Sequence, residues 1–103
     1  METVCVKVRL KPGSLPRVQA WAAELNNRRD EVMATLRDED VVIESVFLDG
    51  DELVYYLKAR DVAHAQAVYA RSQHAIDEYH RRFKDETFGE RRTLELLVDF
   101  ENF

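Results

Sequence analysis

"VVIESVFLDGDELVYYLKA", Val41–Ala59, is the stretch that decides the fold. Val41–Asp49 and Glu52–Ala59 are rich in β-branched and aromatic residues, which suit a pleated, half-buried surface. Between them Asp49 and Gly50 form the strongest short-range signal for a hairpin turn. The two runs are therefore read as paired antiparallel strands. Their charges suggest which face turns away from the core. The expected outward set is Glu44, Val46, Leu48, Val54, Tyr56 and Lys58.

Upstream, "TVCVKVRLK" (Thr3–Lys11) alternates strictly. Val4, Val6, Val8 and Leu10 point one way, and Cys5, Lys7 and Arg9 the other, as in a half-buried strand. "PGS" ends it, with Ser14 placed to cap a helix and Pro16 in its first turn. Leu15, Val18, Trp21, Leu25, Val32 and Leu36 then fall at helical spacing as far as Asp38. Arg28 and Arg29 interrupt that stripe. With no glycine at its end, Asp38 or Asp40 is expected to take the left-handed closing position.

Downstream of the hairpin, Asp61 can cap a second helix carrying Val62, Ala65, Tyr69, Ile76, His80 and Phe83 on one stripe. A break is expected near Ser72. "RRTLELLVDF" (Arg91–Phe100) alternates again and is read as the last strand, with Leu94, Leu96, Val98 and Phe100 beneath the helices. The order β-α-β-β-α-β makes this an α+β chain of ferredoxin-like layout. It predicts a four-stranded antiparallel sheet in the order 4-1-3-2, with two helices on one face.

The 103 residues are expected to form one domain, 1–103. A net charge of −5 argues against nucleic-acid or anionic-membrane partners, which need a basic surface. A single cysteine, Cys5, permits no internal disulfide. No apolar run is long enough to span a membrane, and "METVCVKVRL" lacks the apolar core of a signal peptide. A cytoplasmic protein is expected. No phosphate loop, dinucleotide glycine motif, zinc cluster or nucleophile elbow is present, so no cofactor and no metal are expected.

The uncovered sheet face would carry Cys5, Lys7 and Arg9 beside Glu95, Leu97 and Asp99. It is too apolar to be merely wet and too charged to be a dry core. Ion pairs from Lys7 or Arg9 to Glu95 or Asp99 are expected across it. Such a face suits a homodimer in which two sheets pack together, with or without an enclosed polar cavity for a small molecule.

"RLKPGS" (Arg9–Ser14) and "EVMATLRDEDVVIESVFLDGDELVYYLKARD" (Glu31–Asp61) resemble the dimeric α+β barrel superfamily. In layout they are most similar to the L-rhamnose mutarotase family. The resemblance implies a paired barrel and offers two enzymatic readings, a cofactor-free isomerase acting on a sugar or a monooxygenase. The mutarotases' pocket tyrosine and histidine on the first helix fall on Trp21 and Leu25, and Leu25 cannot move a proton. Their paired tryptophans fall near Tyr79 and His80. The monooxygenases use Asn, Trp and His; Asn26, Asn27, Trp21 and His80 are this chain's counterparts in kind, without matching spacing.

Among candidate groups, His80 is best suited to proton transfer near neutral pH, with Glu44 as its acid–base partner. Arg9, Lys7, Tyr56, His74 and Trp21 are the candidate ligand contacts. "SQHAIDEYHRRF" (Ser72–Phe83) sets His74 and His80 six residues apart. On a continuous helix they would lie about 120° apart and could not share a metal. A break at Ser72 would let His74 turn inward. A structural dimer without a pocket is the third reading.

Overall fold

The computed structural model describes residues 1–103 and shows the expected topology. The strands are β1 (Glu2–Leu10), β2 (Val41–Asp49), β3 (Glu52–Ala59) and β4 (Phe88–Thr93); the helices are α1 (Leu15–Asn27), α2 (Arg29–Glu39), α3 (Val62–Ala70) and α4 (Ala75–Thr87). The sheet order is β2-β3-β1-β4, with every neighbour antiparallel. The layout is the ferredoxin-like α+β one, but each expected helix is two.

Each break has a local cause. At Arg28 the backbone leaves the helix (φ −107°, ψ 38°), where the apolar stripe was interrupted. Between α3 and α4, Ser72 Oγ donates to Asp77 at 2.5 Å and accepts from the His74 backbone N–H. Arg81 donates to the Tyr69 and Ser72 carbonyls, satisfying groups that the end of α3 leaves free. Asp40 takes the left-handed position at φ 56° after α2, and Asp61 caps α3 by accepting from the His64 N–H. Ser14 stands at the start of α1 but makes no side-chain cap; Pro16 alone favours that first turn.

The helices cover one sheet face. Val8, Leu10, Val18, Trp21, Leu53 and Phe83 form the main core, and Trp21 stacks on Phe83 with ring centroids 4.3 Å apart. Val41, Ala59 and Ala65 form a smaller cluster at the other end.

Two sequence expectations are corrected. The hairpin closes on two residues, Gly50 and Asp51, because Asp49 pairs with Glu52. Even-numbered residues of β2 therefore face odd-numbered residues of β3: Glu44 opposes Leu57, and Val46 opposes Tyr55. Glu44, Val46 and Leu48 turn toward the helices. Ser45 and Phe47 join Val54, Tyr56 and Lys58 on the open face. The expected set implied a loop one residue longer, and a slip of one residue reverses every side chain.

The last strand also begins earlier. Thr87 ends α4, and its carbonyl accepts from the Lys11 N–H at 2.8 Å, so the chain enters the sheet at Phe88 without a linker. Gly89 permits this close crossing: a Cβ there would meet the Arg9 carbonyl oxygen at 3.0 Å. Pairing with β1 runs from Leu10–Phe88 to Val6–Thr93, and the Leu94 N–H adds one bond to Cys5. Leu94, Leu96, Val98 and Phe100 are exposed rather than beneath the helices. The segment they belong to crosses the open face instead. Asp99 accepts from Thr3 Oγ1 at 2.6 Å and pairs with Lys58 at 3.0 Å; Glu101 pairs with Lys58 at 3.2 Å. Lys7 meets Asp49 and Glu52 rather than Glu95 or Asp99, and Arg9 is exposed without an ion pair.

Candidate functional site

Between the sheet and the helices, and between the two core clusters, lies a cavity of about 240 Å³. Its walls are mostly aliphatic, from β1, α1, α2, β3 and α3. Its polar groups come from six elements: Thr35 and Glu39 (α2), Glu44 (β2), Tyr55 (β3), Gln66 and Tyr69 (α3), Asp77, His80 and Lys84 (α4), and Arg91 (β4). The β-strand period puts Glu44 and Tyr55 there, because the two-residue hairpin sets both on the inner face. The helical period puts Asp77, His80 and Lys84 on one face of α4, at offsets of three and seven residues. Two sequence candidates, His80 and Glu44, thus share one cavity.

His80 is half-buried, whereas His64 and His74 are exposed. Its Nδ1 receives the indole N–H of Trp21 at 3.0 Å, and the two rings stack with centroids 5.6 Å apart. An indole can only donate, so Nδ1 is an acceptor and the neutral ring carries its proton on Nε2. Burial, reinforced by Lys84 and Arg81, lowers the His80 pKa to about 3. At neutral pH His80 is an uncharged hydrogen-bond donor. Any proton transfer by His80 would therefore run through the neutral Nε2–H rather than an imidazolium.

The carboxyls behave oppositely. Burial and the neighbouring Asp77, Glu44 and Asp38 raise Glu39 to about 7. Glu39 is 7% exposed and has no donor on its carboxyl. Glu44 is also raised, first by burial and then by Asp77. The Glu44 residue is nevertheless exposed to solvent, so its carboxyl stands where water can reach it even as surrounding protein raises its pKa. Lys84 is lowered by burial and by Arg91, and its ammonium stands 4.3 Å from the Tyr69 ring centre. The hydroxyls of Tyr55 and Tyr69 are buried with no hydrogen-bond partner. Burial drives both tyrosine pKa values upward, so both remain O–H donors.

The other sequence candidates lie elsewhere. Trp21 is core, 4% exposed, and acts on the cavity through His80. Lys7, Arg9 and Tyr56 are on the opposite sheet face, by the alternation of β1 and β3. His74 borders a second, polar pocket, where its Nε2 meets Asp38 at 2.7 Å. Thr35, Glu39 and Asp77 form the wall shared by both pockets. Sequence reasoning passed over Glu39, Lys84, Tyr55 and Tyr69 as site groups. The hairpin parity could have found Tyr55, and the i, i+7 spacing from Asp77 could have found Lys84.

The chain belongs to a family of unknown function, DUF6176, which matches it over residues 1–103. No curated protein matches it in sequence. Among solved structures it is similar to an L-rhamnose mutarotase from Formosa agariphila, with a TM-score of 0.68 and 19% identity over 98% of this chain and 100% of that one. It is also similar to an antibiotic biosynthesis monooxygenase, with a TM-score of 0.63 and 14% identity over 96% of this chain and 99% of that one. At such identities the likeness shows the fold, the ferredoxin-like frame of the dimeric α+β barrels, which hosts unrelated chemistries.

Proposed function

We propose that this member of the family binds a small molecule in the cavity between its sheet and helices. The observation that carries the reading is the pair of tyrosine hydroxyls, Tyr55 and Tyr69, buried without partners in the cavity wall. A buried hydroxyl left unpaired costs about 1–3 kcal/mol, and a ligand oxygen or nitrogen would recover it. His80 and Glu44 are the groups placed to act on that ligand. A neutral Nε2–H opposite a carboxyl of raised pKa can donate to one ligand oxygen while the carboxyl takes a proton from another. That pairing favours a cofactor-free isomerase as the enzymatic reading, over a monooxygenase. A thermal-shift screen of sugars, hydroxy acids and aromatic polyketides tests it. A hit should raise the melting temperature of the native chain and leave a His80→Gln, Glu44→Gln double variant unmoved. No hit in any class would refute binding.

We also infer a homodimer formed through the open sheet face. Phe47 is 61% exposed there, and Leu97 and Phe100 of the crossing segment are 81% and 90% exposed. Burial of such side chains is worth about 1.5–3 kcal/mol each. A cytoplasmic site is the matching location. No helix is long and apolar enough to cross a membrane, and Cys5 is a free thiol.

A further inference from the structure

The cavity has an acidic end and a basic end, and neither is neutralised. Glu39, at the end of α2, and Asp77, in the first turn of α4, make the acidic end. Asp77 has one donor, Ser72 Oγ; Glu39 has none. Lys84 and Arg91 make the basic end, and neither forms an ion pair. Lys84 follows Asp77 by seven residues on the same helix face, which places it about 10 Å further along the axis. His80 lies between them with its Nε2–H available. The walls between the ends are aliphatic, including Val6, Leu36, Leu57 and Ile76.

The buried Glu39 and the half-buried Lys84 are costly as they stand, while Arg91 is exposed and solvated. A carboxylate screened from water with no cation beside it is unfavourable, and so is an ammonium beside a guanidinium. A ligand bringing the opposite charge to each end would relieve both at once. Glu44 lies within reach of both fields, since Asp77 and Lys84 both act on it. Burial raises its pKa, and it acts on Lys84 only at a distance, forming no ion pair with it.

We propose that the cavity takes a zwitterion, an ω-amino acid or a molecule of that kind, with its ammonium against Glu39 and Asp77, its carboxylate against Lys84 and Arg91, and an apolar spacer between. The inference rests on the small-molecule reading above and names the ligand class. The unpaired hydroxyls of Tyr55 and Tyr69 in the wall are available to donate to a ligand oxygen. Groups facing Glu39 from its surroundings are Asp38 on α2, Asp77 on α4, Glu44 on β2 and His74 before α4. Only His74 is basic among them, so an incoming ammonium would displace the Glu39 proton.

Isothermal titration calorimetry of the full chain with aminohexanoate, hexanoate and hexylamine tests this. Aminohexanoate should bind at least about ten-fold tighter than either half-molecule, the effect of one charge-assisted contact. Glu39→Gln should weaken aminohexanoate and hexylamine by about the same factor and leave hexanoate unchanged. Lys84→Met should weaken aminohexanoate and hexanoate and leave hexylamine unchanged. Runs in two buffers of different ionisation enthalpy should show proton release near neutral pH. Equal affinity for aminohexanoate and hexanoate would overturn the proposal. If sugars bind and no amino acid does, the zwitterion is wrong while the cavity reading stands. If neither class binds, both fall.

Discussion

The indole N–H of Trp21 donates to Nδ1 of His80 at 3.0 Å, and this one bond fixes what the histidine offers the cavity. Trp21 is itself locked by its stack on Phe83. The ring of His80 is therefore set by the core, and its tautomer by a donor that cannot reverse. Side chains held this way suit a site better than ones free to turn.

The first prediction concerns that tautomer. In the native chain His80 should be neutral and protonated on Nε2 throughout pH 5–8, the range below which its pKa of about 3 falls. Long-range nitrogen–proton NMR reads this directly. Trp21→Phe removes the donor and should give a mixture of tautomers. A native His80 titrating at ~6.5, the free-histidine value, would contradict the burial argument.

The second concerns Glu39. Its pKa of about 7 lies above the unfolded value, so the folded chain binds more protons between pH 4.5 and 7. Stability contributed by this group is present at acid pH and is lost as pH rises through 7. Glu39→Gln should match the native chain near pH 4 and exceed it at pH 8 by roughly 1–3 kcal/mol. Urea unfolding at the two pH values gives the comparison. An equal or lower stability at pH 8 would mean that the carboxylate is already compensated.

The fold was legible because its signals are local and redundant. The alternation of β1, the Asp-Gly turn and the break at Ser72 each stand in a few adjacent residues. The inner or outer side of Glu44 was not legible in the same way. It depends on whether the hairpin loop has two residues or three, and Asp49-Gly50-Asp51 permits both. Leu94–Phe100 alternates as a strand should, but the ladder with β1 ends at Thr93 and the chain leaves the edge to cross the open face, where Asp99 is held by Thr3 and Lys58. The site suffered from the same limit. His80 and Glu44 were found by chemistry, whereas Tyr55 and Glu39 matter only because the tertiary structure leaves their polar atoms unpaired.

The third prediction is energetic. Phe83 is wholly buried beneath Trp21 and against Phe88. Phe83→Ala should cost about 3–5 kcal/mol and also release Trp21 from its stack. The His80 tautomer should then become mixed, as in Trp21→Phe. Loss of stability without any change in His80 would separate the core from the site.

The fourth concerns the segment after β4. Lys58 is 3% exposed, yet only one layer of chain covers it, the stretch holding Asp99 and Glu101. Asp99 accepts from both Thr3 and Lys58, and these two bonds hold its pKa down. Asp99→Ala should detach Leu94–Phe103 from the sheet, so that limited proteolysis cuts there faster than in the native chain. Arg9→Ala, on the same face but unpaired, should change stability by no more than ~0.5 kcal/mol. A protease-resistant Asp99→Ala variant would show that apolar contacts hold the segment instead.

The last prediction is assembly. The open face combines paired charges, Lys7 with Asp49 and Glu52, Lys58 with Asp99 and Glu101, with Phe47 left 61% exposed among them. Charges already paired within one chain can approach a second copy without leaving a lone buried ion, which is the condition that makes such burial tolerable. Phe47 then supplies the apolar contact. In a twofold pair it counts twice, for about 3–6 kcal/mol in all. Light scattering should give twice the chain mass at micromolar concentration. Phe47→Asp should shift the protein to monomer while the cavity, on the other side of the sheet, keeps its ligand affinity. A Phe47→Asp chain that remains dimeric would place the interface elsewhere, and one that loses ligand binding along with dimerisation would make the partner copy part of the site.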